Sequence, residues 1–167
     1  MTSLFTMHKN SQKRIVLEES IYFITTNTHN SYPFFKDYQL CEVLKADIHL
    51  TKELKNFALF SYKINPDHIH ILLKPGTQAN ISEIMRSLKT NSSRNINRLI
   101  TFAPEKKIKR FKWQKSYNDH IIRDDADFKK HLEYIENQWI KHNLRENRYY
   151  FIDMDLCGDY LGCGDVA

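Results

Sequence analysis

Two imidazoles separated by one residue, His68-Ile69-His70, lie within the run Asn65-Pro66-Asp67-His68-Ile69-His70-Ile71-Leu72-Leu73. The stretch after the Pro-Asp turn alternates and is rich in Ile and Leu, which predicts a β-strand. Side chains two apart on a strand point to the same face. The imidazoles therefore project together, while Ile69, Ile71 and Leu73 point the other way into a core. Paired imidazoles suit a divalent metal ion. A surface strand can also carry two histidines to no purpose, so a second element has to converge on them.

Glu133-Tyr134-Ile135-Glu136-Asn137-Gln138 is the candidate for that second element. Tyr134 and Gln138 lie one helical turn apart on the same side, beside an apolar stripe rather than in it. A tyrosine in such a helix is more often a boundary residue of the core, with its hydroxyl at the surface. Tyr117, Tyr149 and Tyr150 are further phenols that spacing leaves open. His120 fits a metal role, but a structural hydrogen bond or a phosphate contact is the favoured reading. His131 reads as a surface histidine.

Charge is uneven along the chain. From Arg86 to Lys115 there are ten basic residues and one acid, Glu105. That segment is +9 in a chain whose net charge is +5, so the remainder is −4. A local basic stretch is the electrostatic footprint of a polyanion partner, although a solvated basic helix and loop would look the same. Phe102, Phe111 and Trp113 are interleaved with it and favour nucleic acid, because aromatic faces stack on unpaired bases. Arg86, Lys89, Asn91, Arg94, Asn95, Arg98, Lys109, Arg110, Lys112 and Lys115 are the candidate contacts. No strongly amphipathic basic helix points to a membrane surface.

These groups need a scaffold, and hydrophobic periodicity predicts one. Ile21 to Thr28 is rich in β-branched and aromatic residues and reads as a strand. Apolar residues then recur at helical spacing from about Phe34 to Phe57. Ala58 to Ile64 and His68 to Lys74 read as a hairpin around Asn65-Pro66-Asp67. Asn80-Ile81-Ser82-Glu83 has the pattern of a capping box, followed by a helix with Ile84, Leu88, Ile96 and Leu99 inward. Trp113 to Ile122 reads as a fourth strand. Asp124 and Asp125 open a last helix whose buried stripe is Phe128, Leu132, Ile135 and Trp139. The order β-α-β-β-α-β plus a helix predicts an α+β, ferredoxin-like (split βαβ) antiparallel sheet with helices on one face and a C-terminal helix.

A length of 167 residues suits one domain with a real core, placed at residues 1–147 with its core at about 18–143. Residues 148–167 are left as a tail without an assigned role. The hydrophobic fraction of 41% and only four Gly and four Pro exclude low-complexity and collagen-like chains. No apolar run is long enough to span a bilayer, and Met1 to Asn10 lacks the apolar core of a signal peptide. Cys41, Cys157 and Cys163 are odd in number and lack disulfide spacing, which suits free thiols and a reducing cytoplasm. Neither a P-loop nor a dinucleotide fingerprint is present.

With these motifs in order, the chain resembles the HUH single-tyrosine transposases. The Asn65–Leu73 run resembles their His-hydrophobic-His strand, and Ser82-Glu83-Ile84-Met85-Arg86-Ser87-Leu88-Lys89 resembles the helix that follows it. Trp113-Gln114-Lys115-Ser116-Tyr117-Asn118-Asp119-His120-Ile121-Ile122-Arg123-Asp124 is similar to the REP-associated tyrosine transposase branch. Glu133 to Gln138 is similar to the catalytic tyrosine helix. The resemblance spans roughly Ile21 to His142. It implies His68 and His70 as metal ligands, Tyr134 as nucleophile, Gln138 as third ligand, and Mg²⁺ or Mn²⁺ as cofactor. It also implies hairpin-containing single-stranded DNA as substrate. The branch usually has Asn-Pro shortly after the tyrosine, whereas here Gln138 and Trp139 follow Asn137, closer to insertion-sequence transposases outside that branch. Homodimer and monomer both stay open, as does whether the tyrosine serves its own His pair or a partner's.

The expected activity is metal-dependent cutting and rejoining of single-stranded DNA through a 5′-phosphotyrosine. The alternative is a non-catalytic module on the same scaffold that binds hairpin DNA or RNA. A two-histidine phosphodiesterase ranks last, because His49 falls in a predicted helix and supplies no second His-bearing strand.

Overall fold

A computed structural model of the protein describes residues 20–161, so Met1 to Asn10 and Cys163 lie outside the described residues. Five antiparallel strands form one sheet: β1 (Tyr22–Asn27), β2 (Ala58–Ile64), β3 (His68–Lys74), β4 (Asn118–Ile121) and β5 (Tyr150–Ile152). Their order across the sheet is β4-β1-β3-β2-β5. The helices are α1 (Tyr38–Lys55), α2 (Ile81–Phe102), α3 (Asp125–Glu136), α4 (Gln138–Lys141) and α5 (Met154–Leu161). The expected split βαβ core is present, with β5 and α5 added after it. Among the described residues no helix is long and apolar enough to cross a membrane.

Strand alternation sends two sets of side chains to two cores. Tyr22 and Ile24 of β1, with Ile69, Ile71 and Leu73 of β3, join Leu44 and Ile48 of α1 and Ile84 and Leu88 of α2. Leu72 of β3 and Phe60 of β2 join Phe128, Leu132 and Ile135 of α3 and Cys157 of α5 on the opposite face. Helices therefore cover both faces, with the two crossover helices on one and α3 and α5 on the other. The predicted outward face of the histidine strand is a covered one. His70 is only 3% exposed, because the apolar stripe of α3 needs a partner and Leu72, two residues along β3 from His70, supplies it.

Local chemistry sets the boundaries. Asn80 caps α2 with the predicted capping box, its side chain accepting from Glu83 N while Glu83 Oε2 accepts from Asn80 N. Asp37 caps α1 by accepting from Gln39 N. Asn56 ends α1 with φ 48°, a left-handed conformation that Asn tolerates. Gly76 passes close by, and a Cβ there would sit 2.2 Å from Asn56 O, so only glycine fits. The Asn65-Pro66-Asp67 turn is held from outside: Thr28 N and Phe35 N donate to the carbonyls of Asp67 and Pro66 at 2.8 and 2.9 Å. That anchoring fixes where β3, and with it His68, begins.

Three expectations need correction. The fourth strand is shorter than Trp113 to Ile122, since Trp113 makes only an isolated bridge to Thr28 before β4 starts at Asn118. Phe111 and Trp113 are not free to stack on bases, being 1% and 8% exposed in a ring cluster with Phe34 and Phe35; Phe102 stays exposed. The helix carrying Tyr134 and Gln138 is broken at Asn137, which falls between α3 and α4. Cys41 and Cys157 are free, buried thiols.

Candidate active site

β3 delivers His68 and His70 to one face, two residues apart, with their Nε2 atoms 3.2 Å from each other. Each ring is held from behind. His68 Nδ1 donates to Asp67 Oδ1 at 2.6 Å, and His70 Nδ1 shares a 2.8 Å hydrogen bond with Thr25 Oγ1. Thr25 is there because β1 pairs with β3 in a register that sets it opposite His70. Groups that occupy Nδ1 orient a ring and aim Nε2 toward a ligand, which at His68 would replace the hydrogen bond from Asn65 Nδ2. Burial is the main reason the His70 pKa falls to about 3, and the nearby His68 adds to it while the Gln138 amide partly offsets it. His70 is therefore neutral, with the lone pair of one ring nitrogen available.

α3 crosses this face and brings Tyr134 over β3. Its ring meets His70 edge-on, with centroids 5.2 Å apart, and meets Phe23 at 5.8 Å. Tyr134 is 39% exposed, so its hydroxyl reaches solvent. Lys141 of α4 donates to that hydroxyl at 3.0 Å. Gln138 is buried, and its Nε2 donates back to Tyr134 O at 3.0 Å, which keeps the one-turn relation across the break. Its Oε1 is buried with no hydrogen-bond partner.

Two further residues belong here that the sequence reading passed over. His142 follows α4, and its ring centroid lies 5.1 Å from that of His68. Its Nε2 is buried without a partner, and burial together with the neighbouring His68 lowers its pKa. Asn65 donates from Nδ2 to His68 Nε2 at 3.0 Å, while its Oδ1 is also unpartnered. His142 stands four residues after Gln138, a helical spacing that could have flagged it.

The other phenols separate cleanly. Tyr117 is buried in the core formed with α1 and α2, on the face away from the His pair. Burial pushes Tyr149 and Tyr150 up to about 12, and both lie at the far edge of the sheet beside β2. Of the four candidate phenols, Tyr134 is the one whose ring packs against the His pair among the described residues.

The candidate nucleic-acid contacts are distributed differently. Arg94, Arg98 and Arg110 line one groove with Asn97, Ile100 and Thr101. Asn97 holds the following loop in place by bonding Phe111 N and O through its side chain. Arg86, Lys109, Lys112 and Lys115 are exposed, and Asn91 is half-buried. Lys89 is spent on the carbonyls of Gln114 and Ser116, and Asn95 on Asp47 Oδ1. Because α2 packs on the face opposite α3, the arginine groove lies across the sheet from Tyr134.

Comparisons with known proteins agree with this fold. A family model described as IS200-like transposase matches residues 17–138. A Haemophilus influenzae strain Rd protein assigned as a REP-associated tyrosine transposase is 34% identical over 87 residues, covering 50% of this chain and 49% of that protein. The match thus spans about half the length of that relative. The fold is similar to a REP-associated tyrosine transposase solved bound to a REP hairpin, with TM-score 0.59 and 23% identity over 80% of this chain and 74% of the other. It is also similar to a transposase structure from Deinococcus radiodurans R1, with TM-score 0.53 and 21% identity over 79% of this chain and 98% of that one.

Proposed function

From the premise that this chain belongs to the IS200-like transposase family, we propose that it cuts and rejoins hairpin-bearing single-stranded DNA, with Tyr134 as nucleophile. The observation that carries the reading is the edge-on contact of Tyr134 with His70 beside a set of buried, unsatisfied acceptors.

The donor set fits a divalent cation. Two Nε2 atoms 3.2 Å apart and an orphaned amide oxygen at Gln138 form an electron-rich pocket, and each unsatisfied buried acceptor costs about 1–3 kcal/mol unless something pairs with it. His68, His70 and Gln138 are the residues that would hold Mg²⁺ or Mn²⁺, and the imidazoles favour Mn²⁺. Such an ion supplies polarisation of the scissile phosphate and offsets charge developing on it.

The rest of the work falls to the chain. Tyr134 attacks phosphorus through its phenol oxygen, and the phenol proton is lost to solvent at that exposed position. The bond from phosphorus to the 3′-oxygen breaks, and that oxygen leaves and takes up a proton as a 3′-hydroxyl. A 5′-phosphotyrosine remains, which another 3′-hydroxyl can reverse without ATP. Lys141 holds its ammonium against the attacking oxygen and favours negative charge there. Thr25 and Asp67 keep both imidazoles aimed. Arg94, Arg98 and Arg110 grip phosphates across the sheet, a contact that depends on salt and is nearly blind to sequence. The fold neighbour solved with a REP hairpin supports a hairpin as the DNA form.

We place the catalytic unit at residues 1–147 and read the strand and helix after it as an extension closing the β2 edge. Because Tyr134 and His70 meet within one chain, we read the site as assembled in one protomer. A module that only binds hairpin DNA or RNA is the second reading, favoured by the separation of the arginine groove from the tyrosine. Incubation with Mn²⁺ and a hairpin substrate labelled 3′ of the cut tests the choice. The wild type forms a denaturation-resistant adduct and Tyr134→Phe forms none; hairpin binding with no adduct from the wild type favours the binding module.

A further inference from the structure

We propose that His120, Asp127 and His131 form a second divalent-metal site, of the Zn²⁺ class, which fastens α3 to the edge strand β4. Among the described residues these three side chains are the one group of His, Cys, Asp and Glu whose ligand atoms all lie within 4.8 Å of one another. His120 comes from β4. Asp127 and His131 come from the first turns of α3, four residues apart and so on one face.

The distances are close to those a metal needs. His120 Nε2 is 2.8 Å from Asp127 Oδ2, and His131 Nδ1 is 3.2 Å from Asp127 Oδ1. Tetrahedral zinc, with bonds of about 2.0–2.1 Å, separates its ligand atoms by about 3.3 Å. The full set of ligand atoms lies within 4.8 Å, so the side chains close by up to about 1.5 Å to take the ion. Two imidazoles and one carboxylate are a three-ligand zinc set that leaves a fourth position for water. The His120 side chain is 40% exposed, which provides the entry path.

The carboxylate is ready to bind. Burial would raise the Asp127 pKa, yet hydrogen bonds from His120 and from the Arg123 backbone and guanidinium hold it at about 2. These same contacts also serve as a hydrogen-bonded staple at the start of α3, so the competing groups matter. Arg123 reaches Asp127 Oδ2 through N at 3.2 Å and Nε at 3.3 Å. Its side chain is 75% exposed and can swing into water when the ion arrives. His131 Nδ1 also donates to Asp127 O at 2.8 Å, and ligation through that atom displaces its proton. The two imidazoles stack at 4.6 Å and 22°, so one ring has to turn out of the stack to bring both lone pairs onto one point.

The position gives the ion a purpose. The Phe23 ring lies between this cluster and the His68/His70 pair, 4.7 Å from His131 and 5.3 Å from His70. An ion here pins the first turns of the helix whose last turn carries Tyr134. It is a separate site from the one proposed for catalysis, and its test needs no DNA.

The metal-free full-length protein carrying His68→Ala and His70→Ala removes the first site. Zinc bound is measured by equilibrium dialysis, and cobalt binding by its visible absorption bands. The double variant takes up one Zn²⁺ per chain, shows the intense bands of tetrahedral cobalt, and melts at a higher temperature with zinc than without. Adding His120→Asn or His131→Asn to that background, with circular dichroism unchanged, abolishes the uptake. A double variant that binds no zinc, or uptake that survives both additional substitutions, overturns the proposal.

Discussion

The ring of Tyr134, on α3, stands edge-on to the imidazole of His70, on β3, with centroids 5.2 Å apart and planes at 72°. The two residues are 64 positions apart in sequence. They meet because the sheet uses both faces, and α3 covers the one that the histidines share.

Removing either side of that contact separates metal binding from chemistry. His70→Ala and Gln138→Leu weaken Mn²⁺ binding, by about 10- to 100-fold for a group supporting the ion and more for a direct ligand. Tyr134→Phe leaves Mn²⁺ affinity as in the wild type. Calorimetric titration of Mn²⁺ into each variant checks this, and EDTA stops adduct formation in the wild type.

Lys141 donates to the Tyr134 hydroxyl at 3.0 Å, at an exposed position where a charge contact is worth only about 1 kcal/mol. Lys141→Ala therefore slows adduct formation by about 5- to 10-fold rather than abolishing it. Lys141→Arg restores most of the rate. Single-turnover kinetics with saturating DNA provide the measurement.

A site assembled within one chain cannot be repaired by mixing. His68→Ala and Tyr134→Phe proteins, each inactive alone, stay inactive when combined on the same hairpin. Adduct formation by the mixture would mean that the tyrosine of one protomer acts on the His pair of another.

On the proposed reading the arginine groove across the sheet contributes binding rather than chemistry. Arg94→Ala with Arg98→Ala weakens hairpin binding at moderate salt and reduces the slope of log affinity against log salt by about 1–2. With DNA at saturation the rate of adduct formation is unchanged. Filter binding across a salt series gives the first result and single-turnover kinetics the second.

Much of this was legible in the chain. The alternation around His68 and His70 marked β3 to the residue, and the Asn80–Glu83 pattern marked the start of α2, because capping and strand period are local. Burial was harder to read. Period two says which residues share a face but not what covers it, so the histidine face was expected to be open although α3 packs there. Phe111 and Trp113 looked like stacking residues because aromatics in a basic stretch serve either purpose; their burial depends on Phe34 and Phe35, more than 70 positions earlier. The break at Asn137 has no sequence mark such as Pro or Gly. His142 and the His120, Asp127 and His131 cluster come together only through tertiary contacts. The segment after Asn147 gave no periodic signal strong enough to predict β5 and α5, since a three-residue strand and an eight-residue helix are too short to show one.

The most direct measurement identifies the residue joined to DNA. The protein is reacted with Mn²⁺ and a hairpin substrate, digested with trypsin and nuclease, and the nucleotide-bearing peptide is sequenced by mass spectrometry. The account predicts the peptide running from His131 to Lys141, modified on its single tyrosine, Tyr134. A nucleotide attached to any other residue, or DNA cut with no peptide attached, would contradict it.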